Sequence, residues 1–170
     1  LAGTGKSHIM KELVLEKQEA DVPVRGVAKC HVAALNAGQG LLTRKNGDGK
    51  EEKPFSTANH FVHKYQNGGF TRGVLVLEEV WTLDTVLLQA LTARKRMGMQ
   101  YIILGDPNQH DAIGDSFNGI PCDDKDVRAR GGAERERTHW IRELCDGNRL
   151  HLTESRRSGE GPLFEFYSSM

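Results

Sequence analysis

The 170 residues are 38% hydrophobic and 27% charged, with 23 basic side chains balanced by 23 acidic ones. That length supports one domain with its own core, and that balance makes no bulk electrostatic case for or against a nucleic-acid partner. No apolar run approaches the roughly 20 residues of a membrane span, and the first residues lack the layout of a signal peptide. The cysteines, Cys30, Cys122 and Cys145, form no C-x-x-C pair, so neither a disulfide framework nor a zinc knuckle is indicated. A reducing, intracellular compartment, nuclear or cytoplasmic, is expected.

Ser7 to about Ala20 is predicted to be a helix, because Ile9, Met10, Leu13 and Val14 share a face; Asp21 and Pro23 end it. V-R-G-V-A-K (Val24–Lys29) is a short buried-strand candidate, and H-V-A-A-L-N-A-G a brief helix stopped at Gly38. Residues 43–54, T-R-K-N-G-D-G-K-E-E-K-P, are polar and charged and are expected to form a solvated loop. A-N-H-F-V-H-K-Y reads as another short helix. V-L-V-L-E-E-V (Val74–Val80) is too short for a helix and suits a central parallel strand. In the next helix Leu83, Val86, Leu87, Ala90 and Leu91 make one apolar stripe. Arg94, Lys95 and Arg96 lie at its C-terminal end, where the helix dipole favours cations, and Gly98 closes it. Y-I-I-L is a further buried strand, residues 114–133 read as irregular, Glu134–Cys145 as a helix and R-L-H-L as a last strand. Strands alternating with helices predict an α/β domain with a mainly parallel sheet flanked by helices.

Gly5-Lys6-Ser7 supplies the end of the phosphate-loop pattern G-x-x-x-x-G-K-[ST], whose first glycine would fall one residue before Leu1. Glycines let successive backbone N–H groups turn inward around phosphates, and the following helix aims its N-terminus at the same oxygens. Gly3, Thr4 and Gly5 are therefore expected to cradle phosphates, Lys6 to reach the β- and γ-phosphates, and the Ser7 hydroxyl to ligate Mg2+. ATP and Mg2+ are the expected cofactors. Such a site also needs a carboxylate near the metal and a group that orients the attacking water. Glu78, ending the apolar run, is the candidate for the first and Glu79 for the second. Ligands gather at the carboxyl ends of strands in open α/β sheets, so this placement fits.

After Y-I-I-L comes Gly105-Asp106-Pro107-Asn108-Gln109, and later L-T-E-S-R-R-S (Leu152–Ser158). With the phosphate loop and the strand-Glu-Glu pair, this ordered set resembles the first RecA-like motor domain of superfamily 1 helicases, of the RecD-like and viral type. The resemblance spans nearly the whole chain. It implies a P-loop NTPase of RecA-like fold, with ATP hydrolysis coupled to movement along single-stranded nucleic acid, DNA in preference to RNA. It implies that Gln109 senses the γ-phosphate and that Arg157 touches the nucleotide. A-K-C-H-V-A-A-L-N-A (Ala28–Ala37) is similar to a segment that lies on the nucleic-acid backbone, and S-T-A-N-H-F-V-H-K-Y to one that also follows that strand. His31, Thr57 and His60 are the nucleic-acid candidates. The resemblance implies that residues 1–170 are a single motor domain cut inside its phosphate loop, whose second RecA-like domain lies elsewhere.

Four departures stand out. Glu78 occupies a position that is usually aspartate, His110 and Asp111 replace apolar and proline residues, Thr57 and His60 are spaced T-x-x-H-F rather than T-x-H-x-F, and the first loop glycine is not in the chain. They keep open an alternative: a non-hydrolysing relic that binds nucleotide or nucleic acid. Cys30, His31, His60 and His63 can also be drawn as a zinc site, but with no C-x-x-C beside them surface or packing roles are the stronger reading; Phe61, Tyr65 and Trp81 can be drawn as base-stacking aromatics, with Trp81 better placed to pack beside the strand end.

Overall fold

The computed structural model describes residues 4–45, 48–106, 116–117, 120–121 and 141–153. Helix α1 (Lys6–Glu19) leads into strand β1 (Val24–Ala28) and helix α2 (His31–Gly38). Two short strands, β2 (Arg44–Lys45) and β3 (Glu51–Glu52), precede β4 (Phe55–Thr57) and helix α3 (Ala58–Lys64). Strand β5 (Gly73–Leu77), a 3-10 turn at Val80–Thr82, helix α4 (Thr85–Thr92), a second 3-10 stretch and β6 (Met99–Ile103) follow. The short strands β7 (Ser116–Phe117) and β8 (Ile120–Pro121) pair with each other.

The main sheet has the order β4-β1-β5-β6, and every pairing in it is parallel. Alternation along β5 divides the core. Val74 and Val76 face α1 and α2, meeting Met10, Val14, Ala34 and Ala37. Leu75 and Leu77 face α3 and α4, meeting Phe61, Leu87, Leu88 and Leu91. A strand buried on both faces must be apolar throughout, which is why β5 reads as an unbroken hydrophobic run. Where β1 meets β4, the ring of Phe55 lies so close over Gly26 that a β-carbon there would stand 2.2 Å from it. This is the mainly parallel, helix-flanked α/β sheet that the sequence predicts.

Several expectations need correction. In α1 the buried stripe is Met10, Val14 and Gln18, while Ile9 and Leu13 are exposed. In α4 the helix starts at Thr85 because the Asp84 carboxylate accepts the Leu87 N–H at 2.9 Å. That start buries Leu87, Leu88 and Leu91 and leaves Val86 67% exposed, off the stripe expected for it. Arg94 does not serve the helix dipole. It is buried, donates to the carbonyls of Tyr65 and Phe70, and lies over the Phe61 ring. Lys95 donates to the carbonyls of Glu143 and Leu144 and pairs with Asp146.

The loop expected at 43–54 contains the antiparallel pair β2–β3, with Arg44 opposite Glu52 and Lys45 opposite Glu51. Opposite charges across a strand pair support it. Glu52 fastens this hairpin to the domain, pairing with Arg25 and Lys64 and accepting from the Tyr65 hydroxyl. Burial alone would raise its pKa, but the Lys64 hydrogen bond, Arg25 and Tyr65 outweigh burial and hold the carboxyl below its usual range. Within the stretch read as irregular, β7 and β8 pair antiparallel. Residues 141–144 are helical, in line with the helix expected there. R-L-H-L is not a strand: residues 148–153 form no regular structure and Leu150 is 78% exposed. That segment lies across α1 and the end of β6, lining a cavity with them. No helix among the described residues is long and apolar enough to cross a membrane.

Candidate active site

Four parallel strands end on one side of the domain; Glu78, Glu79, Gly105 and Asp106 follow two of those ends, and Lys6 and Ser7 begin α1 beside them. The phosphate loop enters α1 through Gly5, whose φ of 85° and ψ of 11° are left-handed. Among the described residues no atom lies within 4 Å of where its β-carbon would stand, so the backbone angle calls for glycine. Thr4 before it is buried. Lys6 and Ser7 follow as the first turn of α1.

Across from them, β5 ends and Glu78 turns toward the loop. The Ser7 hydroxyl donates to Glu78 Oε1 at 3.2 Å. The other oxygen, Oε2, is buried and has no hydrogen-bond partner among the described residues. Burial pushes the Glu78 carboxyl above its ordinary pKa and the neighbouring Glu79 charge adds to this, while the Ser7 hydrogen bond, Lys6 and Lys11 act against it. An unsatisfied, desolvated carboxylate beside a hydroxyl is a site short of a cation. Two cis ligands of an octahedral Mg2+ stand about 3.0 Å apart, given bonds near 2.1 Å, so the Ser7–Glu78 spacing fits such an ion. Glutamate in place of the usual aspartate still brings a carboxylate to Ser7.

Glu79 is exposed and begins the turn after β5. Gly105 and Asp106 extend from β6, with Asp106 buried. Thr4, Lys6, the end of β6 and residues 149–152 surround a cavity of about 300 Å³. Leu152 and Thr153, where the predicted arginine motif begins, lie beside Thr4, Gly5 and His8. Gly3, Gln109 and Arg157 fall outside the described residues, as do His110 and Asp111.

The nucleic-acid candidates lie at the ends of β1 and β4, which are neighbours through the Ala28–Thr57 register. His31 is exposed at the first position of α2. Thr57 caps α3, its hydroxyl accepting the His60 N–H at 3.3 Å, and the His60 side chain is exposed. Phe61 is 1% exposed and packs with Tyr65 and Phe70, so it belongs to the core and cannot stack on a base. Trp81 packs against Gly105. Among the described residues no group of three or more His, Cys, Asp or Glu side chains is arranged to hold a metal, which removes the zinc drawing of Cys30, His31, His60 and His63. Sequence reading missed the Lys29–Asp84 ion pair, 3.1 Å long, which ties the end of β1 to the cap of α4. The cap itself was legible: an aspartate just before a helical stripe is a common start signal.

Parallel strand ends, a left-handed glycine before a helix, and a hydroxyl–carboxylate pair define an α/β domain whose first helix starts opposite an acidic strand end. Residues 1–130 match the family of AAA domains, and the chain belongs to that family. A solved structure described as Bacteroides Pif1 bound to ssDNA is similar over 66% of this chain and 28% of its own, at 19% identity and a TM-score of 0.40. The matched part is thus well under half of that protein. No curated protein matches the sequence.

Proposed function

We propose that this chain is the ATP-binding motor domain of a superfamily 1 helicase, of RecD-like or viral type, acting on single-stranded nucleic acid. The observation that carries the reading is the meeting of Ser7 and Glu78, remote in sequence, with Glu78 Oε2 lacking a partner among the described residues. The backbone of Gly3, Thr4 and Gly5 holds the phosphates, and Lys6 neutralises them. Ser7 and Glu78 would hold Mg2+, which when bound would offset the charge of the phosphates. Glu79 orients the attacking water and accepts its proton. Gln109 and Arg157 read the γ-phosphate. His31, Thr57 and His60 lie along the nucleic-acid path, at strand ends next to the nucleotide, so phosphate occupancy and strand grip share one edge of the sheet. Stepping requires a second RecA-like domain that closes on this one.

The test is MgATP binding and turnover with and without single-stranded DNA or RNA. Turnover stimulated by the strand, and lost in Glu79→Gln with binding retained, supports the motor. Binding without turnover supports the relic, which the desolvated Glu78 favours to the extent that its raised pKa weakens the metal site. Nucleic-acid-independent turnover contradicts both.

A further inference from the structure

Glu79 is held in a backbone conformation that glutamate seldom adopts. Its φ and ψ are both 50°, in the left-handed region. The other described non-glycine residues with positive φ are Asp21 and Asp146, each just past a helix, and aspartate's short side chain tolerates that region better. A glutamate persists there only where its surroundings over-determine it.

Three fastenings do so here. Thr82 donates twice to the Glu79 carbonyl, from its backbone N–H at 2.8 Å and from its hydroxyl at 2.8 Å. The next residue, Val80, is buried and donates its N–H to the Leu104 carbonyl at 2.9 Å, tying the turn to the end of β6. Trp81 then lies against Gly105, where a β-carbon would stand 2.6 Å from the indole Cδ1. The turn is thus bound to itself and to the strand beside it. A left-handed residue also ends the alternation of β5, so Glu79 leaves the face it would occupy if the strand continued.

We propose that Thr82 is a positioning residue: its hydroxyl clamps the Glu79 carbonyl and so fixes the direction from which the Glu79 carboxylate approaches the phosphate site. This rests on the proposed function for its catalytic use, but the clamp itself stands on geometry. The hydroxyl of Thr82 is spent on the Glu79 carbonyl. It acts through Glu79, and its removal lowers the rate of the chemical step without weakening the grip on MgATP.

Thr82→Val keeps the shape and removes the hydroxyl. With MgATP and single-stranded DNA, Thr82→Val should lower kcat about tenfold at unchanged KM, and Thr82→Ser should restore it. A kcat within twofold of the parent for Thr82→Val overturns the proposal, as does a loss that Thr82→Ser fails to restore. A second comparison needs no turnover. Glycine suits a left-handed position better than alanine, so Glu79→Gly should melt above Glu79→Ala by on the order of 2 °C. In the Thr82→Val background that gap should shrink to less than half. An equal gap in both backgrounds overturns the clamp. A parent chain with no turnover but a gap that shrinks refutes the motor reading and upholds the clamp, so the two failures are distinct.

Discussion

Replacing Glu78 by glutamine should make the ligand-free protein more stable while abolishing its response to magnesium. The carboxylate is desolvated; Oε1 has Ser7 at 3.2 Å, and Oε2 is buried with no partner among the described residues. Glutamine would leave an unpaired amide group at the same place, so what it removes is the desolvation of the charge, about 1–3 kcal/mol before any offset. Lys6 and Lys11 offset part of that, and the site is only partly closed, so the lower end applies: about 1 kcal/mol, or about 2–4 °C in a domain of this size. Glutamine keeps the length and can still accept from Ser7, but carries no charge. The pH dependence fixes the cause. Because the folded pKa lies above the ordinary 4.5, the native state binds protons more readily than the unfolded one between those two values. The parent therefore loses stability as pH rises through that window, and the penalty is absent below it. Thermal melts from about pH 4 to pH 8 without metal should show the variant ahead at neutral pH and the gap closing on acidification. Adding Mg2+ to the ATP-saturated protein should raise the parent's melting temperature further and leave the variant's where ATP alone sets it. A variant that melts at or below the parent at neutral pH, or a gap that widens on acidification, refutes the reasoning.

Glu52→Gln should cost about 2 kcal/mol near neutral pH, because Arg25 and Lys64 lose a shared, partly buried partner. The folded Glu52 pKa is lowered, so its contribution is full above 4.5 and fades as pH falls through the folded value; urea titrations of both proteins should converge only in acid. Arg94→Met should cost about 1–2 kcal/mol in the same titration, since it leaves the Phe70 carbonyl without its Arg94 donor while the Tyr65 carbonyl keeps the Gly68 N–H, and a loss under 0.5 kcal/mol would count against the clasp. Asp84→Ala should cost about 1 kcal/mol, and Asp84→Asn should recover most of it, because asparagine can still cap Leu87 although it cannot pair with Lys29. Equal losses from the two variants would assign the effect to the ion pair.

What the sequence made legible follows from where each signal is written. The β5 run is apolar at every position because both faces are covered, so its strand identity shows in composition alone. The meeting of Ser7 and Glu78 was readable, because a metal-assisted phosphate site calls for a hydroxyl and a carboxylate side by side at a strand end. The β2–β3 hairpin was not, since its support is cross-strand charge pairing, which a linear reading takes for solvation; Asn46-Gly47 between Arg44-Lys45 and Glu51-Glu52 was the available hint. The stripe of α4 was readable at Leu83, Leu87 and Leu91, and only Val86 was put on the wrong side, because Asp84 sets where the helix begins. Arg94 was unreadable for another reason: its partners are backbone carbonyls, which carry no side-chain signature. The Glu79 turn was hidden likewise, its fastenings being a carbonyl, a neighbouring strand and the missing side chain of Gly105.

The ring of Phe55 over Gly26 makes those two positions a single unit of variation. No side chain can enter at 26 while a phenyl ring fills the space above it, and truncating the ring alone leaves a hole between two strands. A library that randomises either site singly should return only the parent pair, whereas one that varies both should recover exchanges in which bulk passes from one strand to its neighbour.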